Sequence, residues 1–305
     1  MSAGAAAAVT LRAYVDGATR VLAEAGVGSP RHDATALAAY ALGLPRVELV
    51  LPPPLPEGFA ARYAALVERR RSREPLQHIT GHTAFRHLTL RVEPGVFVPR
   101  PETETVAQLA IDEARRLLAA GGAPVVVDLC TGTGAIALSV ATEVPGARVV
   151  AVDLSPEAVG LTRHNARAVG ADGVRVVQGD VRDPDLLADL AGMVDVVVSN
   201  PPYIPPDAVP TDPEVRDHDP DLALYGGGAD GLDVPRAVVA AAGRLLAAGG
   251  LLVMEHAEVQ DAPAREVALA TGVFTQVATA PDLTGRPRTL VARRVARGGV
   301  GDSPA

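Results

Sequence analysis

Seven short apolar runs recur beyond residue 123, near 124–129, 147–153, 174–178, 194–199, 250–255, 273–279 and 288–294, and helical segments separate most of them. Runs such as Val125-Val126-Val127 and Val196-Val197-Val198 lack the polar alternation of a half-exposed strand. They read as strands buried on both faces, which parallel sheets covered by helices provide. The pattern predicts an α/β fold built on a doubly wound, seven-stranded sheet. Sheets of this kind bind ligands beyond the carboxyl ends of their strands, where strand order reverses, so candidate chemistry is sought in the residues that close each run.

The first run continues as Asp128-Leu129-Cys130-Thr131-Gly132-Thr133-Gly134-Ala135-Ile136-Ala137, a glycine-bearing turn leading into an Ala-rich helical segment. Glycines there let backbone approach a ligand closely, and free N–H groups at the helix start favour electron-rich atoms. Asp153 closes the second run 19 residues beyond Gly134, the spacing of a ribose-binding acid. Its competing role as a helix cap is weakened because Ser155-Pro156-Glu157 supplies better capping chemistry. The stretch Gly132 to Ala137 also satisfies the G-x-G-x-x-G/A pattern of NAD-binding proteins, so it leaves a dehydrogenase and a methyltransferase both open.

Asn200-Pro201-Pro202-Tyr203 closes the fourth run and separates the two. Asn200 offers an amide carbonyl, the prolines stiffen the backbone while donating no hydrogen, and Tyr203 adds a flat face. These are fixed acceptors suited to a planar NH2 group. An isolated Pro-Pro pair would more often be a turn closing a strand. Its pairing with the glycine loop resembles the class I S-adenosylmethionine-dependent methyltransferases, with their Rossmann-like sheet, and among them those that methylate an amide or exocyclic nitrogen.

The order of further motifs is similar to that of the release factor glutamine methyltransferases: Pro75 to Gly81, Phe97-Val98-Pro99-Arg100-Pro101-Glu102-Thr103-Glu104, Asp128 to Ala137, Ser199 to Ile204, Glu214-Val215-Arg216 and Gly226 to Gly231. Together they cover most of the chain from about residue 10 to 295. The resemblance implies S-adenosylmethionine as cofactor, held by Cys130, Thr131, Gly132, Thr133, Gly134, Asp153, Asp180, Val181 and Asn200. It implies Asn200, Pro201 and Tyr203 as catalytic residues, with Pro202 and Phe97 also at the substrate, a glutamine in the Gly-Gly-Gln loop of peptide chain release factors. It also implies that the first and fourth strands lie side by side. Cys130 departs from the family, standing where its loop usually begins with glycine, and a side chain there is expected to hold φ below zero.

The amino-terminal part reads as helices. Thr10 can cap a segment with Leu11, Tyr14, Val15, Ala18, Val21 and Leu22 on one face, Ser29-Pro30 starts a second, and about Glu57 through Arg71 forms a third. The expected division is a helical domain over 1–78, a hairpin over 79–98 turning at Glu93-Pro94-Gly95, a methyltransferase domain over 99–296 and a disordered tail over 297–305. Arg69, Arg70, Arg71 and Arg73 form a dense basic cluster that is either a solvated helix end or a partner contact. Residues 204–232 are long and rich in Pro, Asp and Gly, a candidate lid or substrate loop. His218, within it between Asp217 and Asp219, is given no role.

Composition narrows the function. Of 305 residues 48% are hydrophobic, enough for a sizeable core, and the single cysteine fits a reducing compartment. The amino terminus shows neither a signal peptide nor a membrane helix, so a cytoplasmic protein without membrane attachment is expected. The net charge of −8 argues against a nucleic-acid substrate, which calls for a basic surface. An enzyme methylating adenine or guanine amino groups in DNA or RNA, and a non-catalytic nucleotide-binding module, are the rival readings.

Overall fold

The computed structural model describes residues 10–295. Four helices come first, α1 (Leu11–Glu24), α2 (Pro30–Ala41), α3 (Phe59–Arg71) and α4 (Leu76–Thr80), followed by the strands β1 (His82–Phe85) and β2 (Leu88–Arg91). Then come α5 (Thr103–Ala119), β3 (Val125–Leu129), α6 (Ala135–Glu143), β4 (Arg148–Asp153), α7 (Pro156–Ala168), β5 (Arg175–Gln178) and β6 (Val194–Ser199). The chain ends with α8 (Pro213–His218), α9 (Asp221–Leu224), α10 (Asp233–Leu245), β7 (Leu246–Glu255), α11 (Asp261–Ala270), β8 (Phe274–Pro281) and β9 (Pro287–Arg294). Among the described residues no helix is long and apolar enough to cross a membrane.

The seven predicted strands form one sheet in the order β5-β4-β3-β6-β7-β9-β8. From β5 through β7 neighbours run parallel, and β9 and β8 close one edge antiparallel. Val126 and Val196 bury into the core on one face of the sheet, Val127 and Val197 into the core on the other, which is why these runs carry no polar alternation. The first and fourth strands of the sheet, β3 and β6, are direct neighbours. Sequence order reverses between them, and both deliver their carboxyl ends to the same edge.

By their contacts residues 10–81 form one compact unit that also takes in Thr211–His218, and the other described residues form a second unit around the sheet. The hairpin thus groups with the sheet, and the expected tail over 297–305 lies outside the described residues. In the helical unit the Thr10 hydroxyl caps α1, accepting from Ala13 N at 3.2 Å. Leu11, Val15, Ala18 and Leu22 are buried as the helical period requires, whereas Val21, expected on that face, is 37% exposed. Phe59 and Tyr63 stack at 5.4 Å inside this core, and the Tyr63 hydroxyl donates to Ala34 O at 2.9 Å.

The arginine cluster is engaged inside the helical unit. Arg70 is buried, its Nε donating to Asp33 Oδ2 at 2.7 Å while its Nη2 pairs with Glu214 Oε1 at 2.6 Å. Arg73 Nε donates to the same Glu214 oxygen at 2.8 Å. Arg69 pairs with Glu74, and Arg71 with Glu68. The middle of the candidate lid is therefore clasped by two arginines, and a solvated helix end does not describe Arg70, which is buried.

The hairpin is also corrected. It turns at Arg86-His87, pairing Phe85 with Leu88, while Glu93-Pro94-Gly95 makes a separate turn after β2. Arg86 takes φ 52, an uncommon conformation for a residue with a side chain. Tertiary bonds hold it there: its N–H donates to Glu104 Oε1 at 3.0 Å, and its guanidinium grips Glu143 at 2.6 and 2.9 Å.

Removing Glu214 should expose how much the clasp contributes. Glu214→Ala deprives buried Arg70 of one of two carboxylates, and urea unfolding is expected to show a loss of about 3 kcal/mol, the low end for a broken buried pair because Asp33 remains. A loss below about 1 kcal/mol would class the contact with ordinary surface pairs. Burial works to raise the Glu214 carboxyl, but the guanidinium bonds of Arg73 and Arg70 prevail and hold it down at about 2. A depressed acid stabilises the fold above its unfolded value, so this contribution is present above about pH 4.5 and disappears as pH falls toward 2.

Candidate active site

Two loops leave adjacent strands at the reversal point. Leu129 of β3 pairs with Ser199 of β6, and the Ser199 hydroxyl donates to Leu129 O at 2.7 Å, locking the ends together. Cys130 and Asn200 therefore emerge side by side.

The glycine loop is fastened from behind. Thr131 N donates to Val152 O at 2.9 Å, the Thr162 hydroxyl to Gly132 O at 2.8 Å, and Asn165 Nδ2 to Thr133 O at 2.9 Å. Asp128, fully buried, accepts from the Thr131 hydroxyl at 2.6 Å and from Ala137 N at 3.1 Å. Gly134 precedes α6 with φ 86, and a Cβ there would crowd the Leu138 and Thr162 side chains at 3.0 Å, so glycine suits the turn without strain. Cys130 stands at φ 60, contrary to the sign expected from its side chain. The sharp exit from β3 imposes a left-handed conformation that glycine would adopt without strain, and a residue with a side chain held there costs about 1–3 kcal/mol. Burial raises its thiol pKa, and the nearby Asp153 and Asp128 add to the shift.

Asp153 accepts from Gly132 N at 2.8 Å and from Ser155 N at 3.0 Å, which ties the loop to the end of β4. Burial raises its pKa, offset in part by those backbone bonds. Burial likewise pushes the Asp128 carboxyl up to about 7. The loop fits a polar ligand such as S-adenosylmethionine on three grounds. Asp128 Oδ1 and Thr133 Oγ1 are buried without a partner, a Cβ built on Gly132 meets nothing within 4 Å, and Asp153 keeps lone pairs for hydroxyl donors.

Two other expected cofactor residues are placed without such features. The Asp180 carboxylate is taken up by Arg182, at 2.9 and 2.7 Å, which lowers its pKa. Val181 is half-buried against the core.

The tetrapeptide is braced on every side. Asn200 Nδ2 donates to the Thr103 hydroxyl at 3.0 Å, and Thr103 donates to Glu255 Oε2 at 2.8 Å. The other oxygen of Glu255 accepts from the Tyr203 hydroxyl at 3.2 Å. Gln260 Nε2 donates to Tyr203 O at 2.8 Å and to Asp230 O at 2.9 Å, while its Oε1 accepts from Ala257 N at 3.0 Å. Pro201 is buried, and Pro202 and Tyr203 are half-buried. Behind them the chain returns: Ile204 N donates to Leu224 O at 2.9 Å, and Gly226 N to Ile204 O at 3.1 Å. A Cβ on Gly226 would lie 1.8 Å from Gly231 O and 2.7 Å from Pro202 O, and one on Gly231 would lie 2.4 Å from Tyr203 O. The glycines let these backbones touch. Phe97 lies beneath the Arg100 guanidinium at 5.0 Å, in the segment leading to Thr103, and Arg100 pairs with Asp219.

Thr103, Glu255 and Gln260 are the residues that reading the sequence left without a role. A signal existed for Glu255, a charged residue closing the buried run Leu251-Leu252-Val253-Met254 as Asp153 closes its own.

This strand order, with a glycine loop after β3 and an acceptor motif after the neighbouring β6, defines a class I S-adenosylmethionine-dependent methyltransferase. Residues 14–81 match the PrmC N-terminal domain and residues 88–212 the methyltransferase small domain. The chain is 49% identical to a release factor glutamine methyltransferase of Mycolicibacterium smegmatis, over 94% of this chain and 99% of the relative. It is 50% identical to the protein of the same name in Streptomyces coelicolor, over 93% and 98%. The chain belongs to the release factor glutamine methyltransferase family. It is also 43% identical to a 4-amino-L-phenylalanine/4-methylamino-L-phenylalanine methyltransferase of Streptomyces pristinaespiralis, over 90% and 93%. A methyltransferase of Pyrococcus furiosus shares the fold at a TM-score of 0.51 and 18% identity, over 70% of this chain and 91% of its own.

The glycine brace generates a test. Gly226→Ala forces Pro202 and Gly231 apart. Methyl transfer is expected to fall by about 10²-fold, the scale of a small misplacement of a reacting group, while the far-ultraviolet circular dichroism stays that of the parent. Turnover within a few-fold of the parent would show that the brace is dispensable.

Proposed function

We propose that this protein transfers a methyl group from S-adenosylmethionine to the side-chain amide nitrogen, N5, of the glutamine in the Gly-Gly-Gln motif of peptide chain release factors, in support of translation termination. The observation that carries this reading is the state of Asn200. Its NH2 is committed to Thr103, so its carbonyl oxygen is the group left to receive a donor. Pro201 adds a backbone carbonyl and no N–H. Two acceptors on a stiff segment match the two N–H bonds of a primary carboxamide.

Bound S-adenosylmethionine supplies the electrophile, a methyl group on a positively charged sulfur. The protein's share is placement. The loop from Cys130 to Gly134, Asp153, Asp180, Val181 and Asn200 are assigned to the cofactor, with the Asp153 carboxylate for ribose hydroxyls. Asn200, Pro201, Pro202, Tyr203 and Phe97 are assigned to the substrate. A carboxamide nitrogen is a poor nucleophile because its lone pair is shared with the carbonyl. Two acceptors that take both N–H groups fix the plane of the amide and aim the nitrogen, and dry surroundings strengthen both bonds. Positioning of this kind supplies roughly 7–11 kcal/mol, against about 3–5 for a general base. An N-alkylated, protonated amide is acidic enough to release its proton to water, so acceptors suffice and no basic side chain is needed there.

The names of the relatives support the release factor as substrate, and the net charge of −8 disfavours DNA or RNA. We assign the protein to the cytoplasm, where the release factors are and where its one cysteine stays reduced.

Radiolabelled methyl transfer compares a release factor carrying its Gly-Gly-Gln loop with 4-amino-L-phenylalanine, DNA and ribosomal RNA. Labelling of the release factor alone is expected, and preferential labelling of any other substrate would overturn the reading. Asn200→Ala should lower transfer by at least ~10²-fold with cofactor binding still measurable. Asp153→Ala should weaken cofactor binding in calorimetry by about 10-fold or more, because hydroxyl groups lose a charged acceptor. An unchanged dissociation constant removes Asp153 from the ribose.

A further inference from the structure

We propose that Glu255 is a positioning residue for methyl transfer: through the Thr103 hydroxyl it fixes which way round the Asn200 carboxamide stands, presenting Oδ1 and not Nδ2 to the substrate nitrogen. The inference rests on the reading that Asn200 accepts a hydrogen bond from the substrate's NH2. It follows from counting protons along a buried chain.

A carboxylate has no hydrogen to give, so the Thr103 hydroxyl must donate to Glu255 Oε2, across 2.8 Å. That uses the hydroxyl's single proton. Toward Asn200, 3.0 Å away, Thr103 can then only accept, and only the NH2 end of the carboxamide satisfies it. The carbonyl end is left for the ligand. The second oxygen of Glu255 takes the Tyr203 hydroxyl, so one carboxylate pins both ends of the tetrapeptide.

Protonation undoes the logic. A Glu255 carboxylic acid could donate to Thr103, freeing the threonine proton to point at Asn200, and either orientation of the amide would then be satisfied. Glu255 is buried, 3% exposed, which pushes its carboxyl up to about 7. The groups around it work in both directions. Thr103 on α5 and Tyr203 after β6 hydrogen-bond to the carboxylate and Arg288 on β9 attracts it, while Glu102 before α5 repels it. His256, the next residue in its own strand's exit, has Nδ1 2.8 Å from Ala257 O, and burial lowers its pKa. The orienting form is the deprotonated one, so turnover should rise with pH through about 7.

The test measures kcat and KM for methylation of a release factor, from about pH 5.5 to 8.5, in the parent, Glu255→Gln, Thr103→Val and Thr103→Ser. Glu255→Gln and Thr103→Val are expected to lose about 10-fold or more in kcat, with KM for the release factor and calorimetric affinity for S-adenosylmethionine within about threefold of the parent. Thr103→Ser, which keeps the hydroxyl, should restore kcat to within about threefold, and the rise of kcat with pH should be absent in Glu255→Gln. Parental kcat in Glu255→Gln or Thr103→Val, a Thr103→Ser protein as slow as Thr103→Val, or a Glu255→Gln protein that no longer binds S-adenosylmethionine would each overturn the proposal. Parent enzyme that fails to label the release factor at all would instead bring down the substrate assignment on which the proposal stands.

Discussion

The pairing of β3 with β6 is the constraint on which the rest of the structure depends. It sets Leu129 opposite Ser199 and adds a side-chain bond between the two at their carboxyl ends, so the glycine loop and the acceptor motif start from a common point. Neither segment is informative alone. A glycine turn after a buried strand serves many nucleotides, and a Pro-Pro pair closes many strands. Their adjacency, fixed by backbone hydrogen bonds across a sheet buried on both faces, turns two ambiguous motifs into one site.

Holding acceptors open is harder than providing them, because an exposed carbonyl in a partly buried site attracts any donor within reach. Here several neighbouring donors have partners of their own. One N–H of Asn200 goes to Thr103, the Thr103 hydroxyl to Glu255, and the Tyr203 hydroxyl to the same carboxylate. Gln260 holds the Tyr203 carbonyl, and Gly226 and Gly231 press their backbones against residues 202 and 203 with no room for a side chain. A satisfied network of this kind rigidifies, whereas a half-satisfied one would leave several conformers close in energy. The Gly-rich stretch from 226 to 231 thus has a mechanical purpose that its composition alone does not reveal.

What the sequence disclosed and what it hid follow from the range of the interactions involved. Buried strands announce themselves through β-branched runs, a signal that depends only on residues close in the chain. The expected sign of φ at Cys130 failed because a local steric preference was set against a turn imposed by two strands and a ligand loop. The hairpin failed for the same kind of reason. Glu93-Pro94-Gly95 is the better turn by composition, yet Arg86 reverses the chain because Glu104 and Glu143, distant in sequence, bind its backbone and guanidinium. Thr103 and Glu255 were passed over because their importance lies in a bond across 152 residues.

The fate of the arginine cluster bears on how the long segment after the tetrapeptide is ordered. A run from 204 to 232 tethered only at its ends would lose much conformational freedom whenever it settled over a ligand. In this chain Thr211–His218 packs into the helical unit, where Glu214 meets Arg70 and Arg73, while Ile204, Leu224 and Gly226 bond to one another at the base of the loop. Each of these bonds removes backbone freedom from the segment within the unit that makes it, before any ligand is bound.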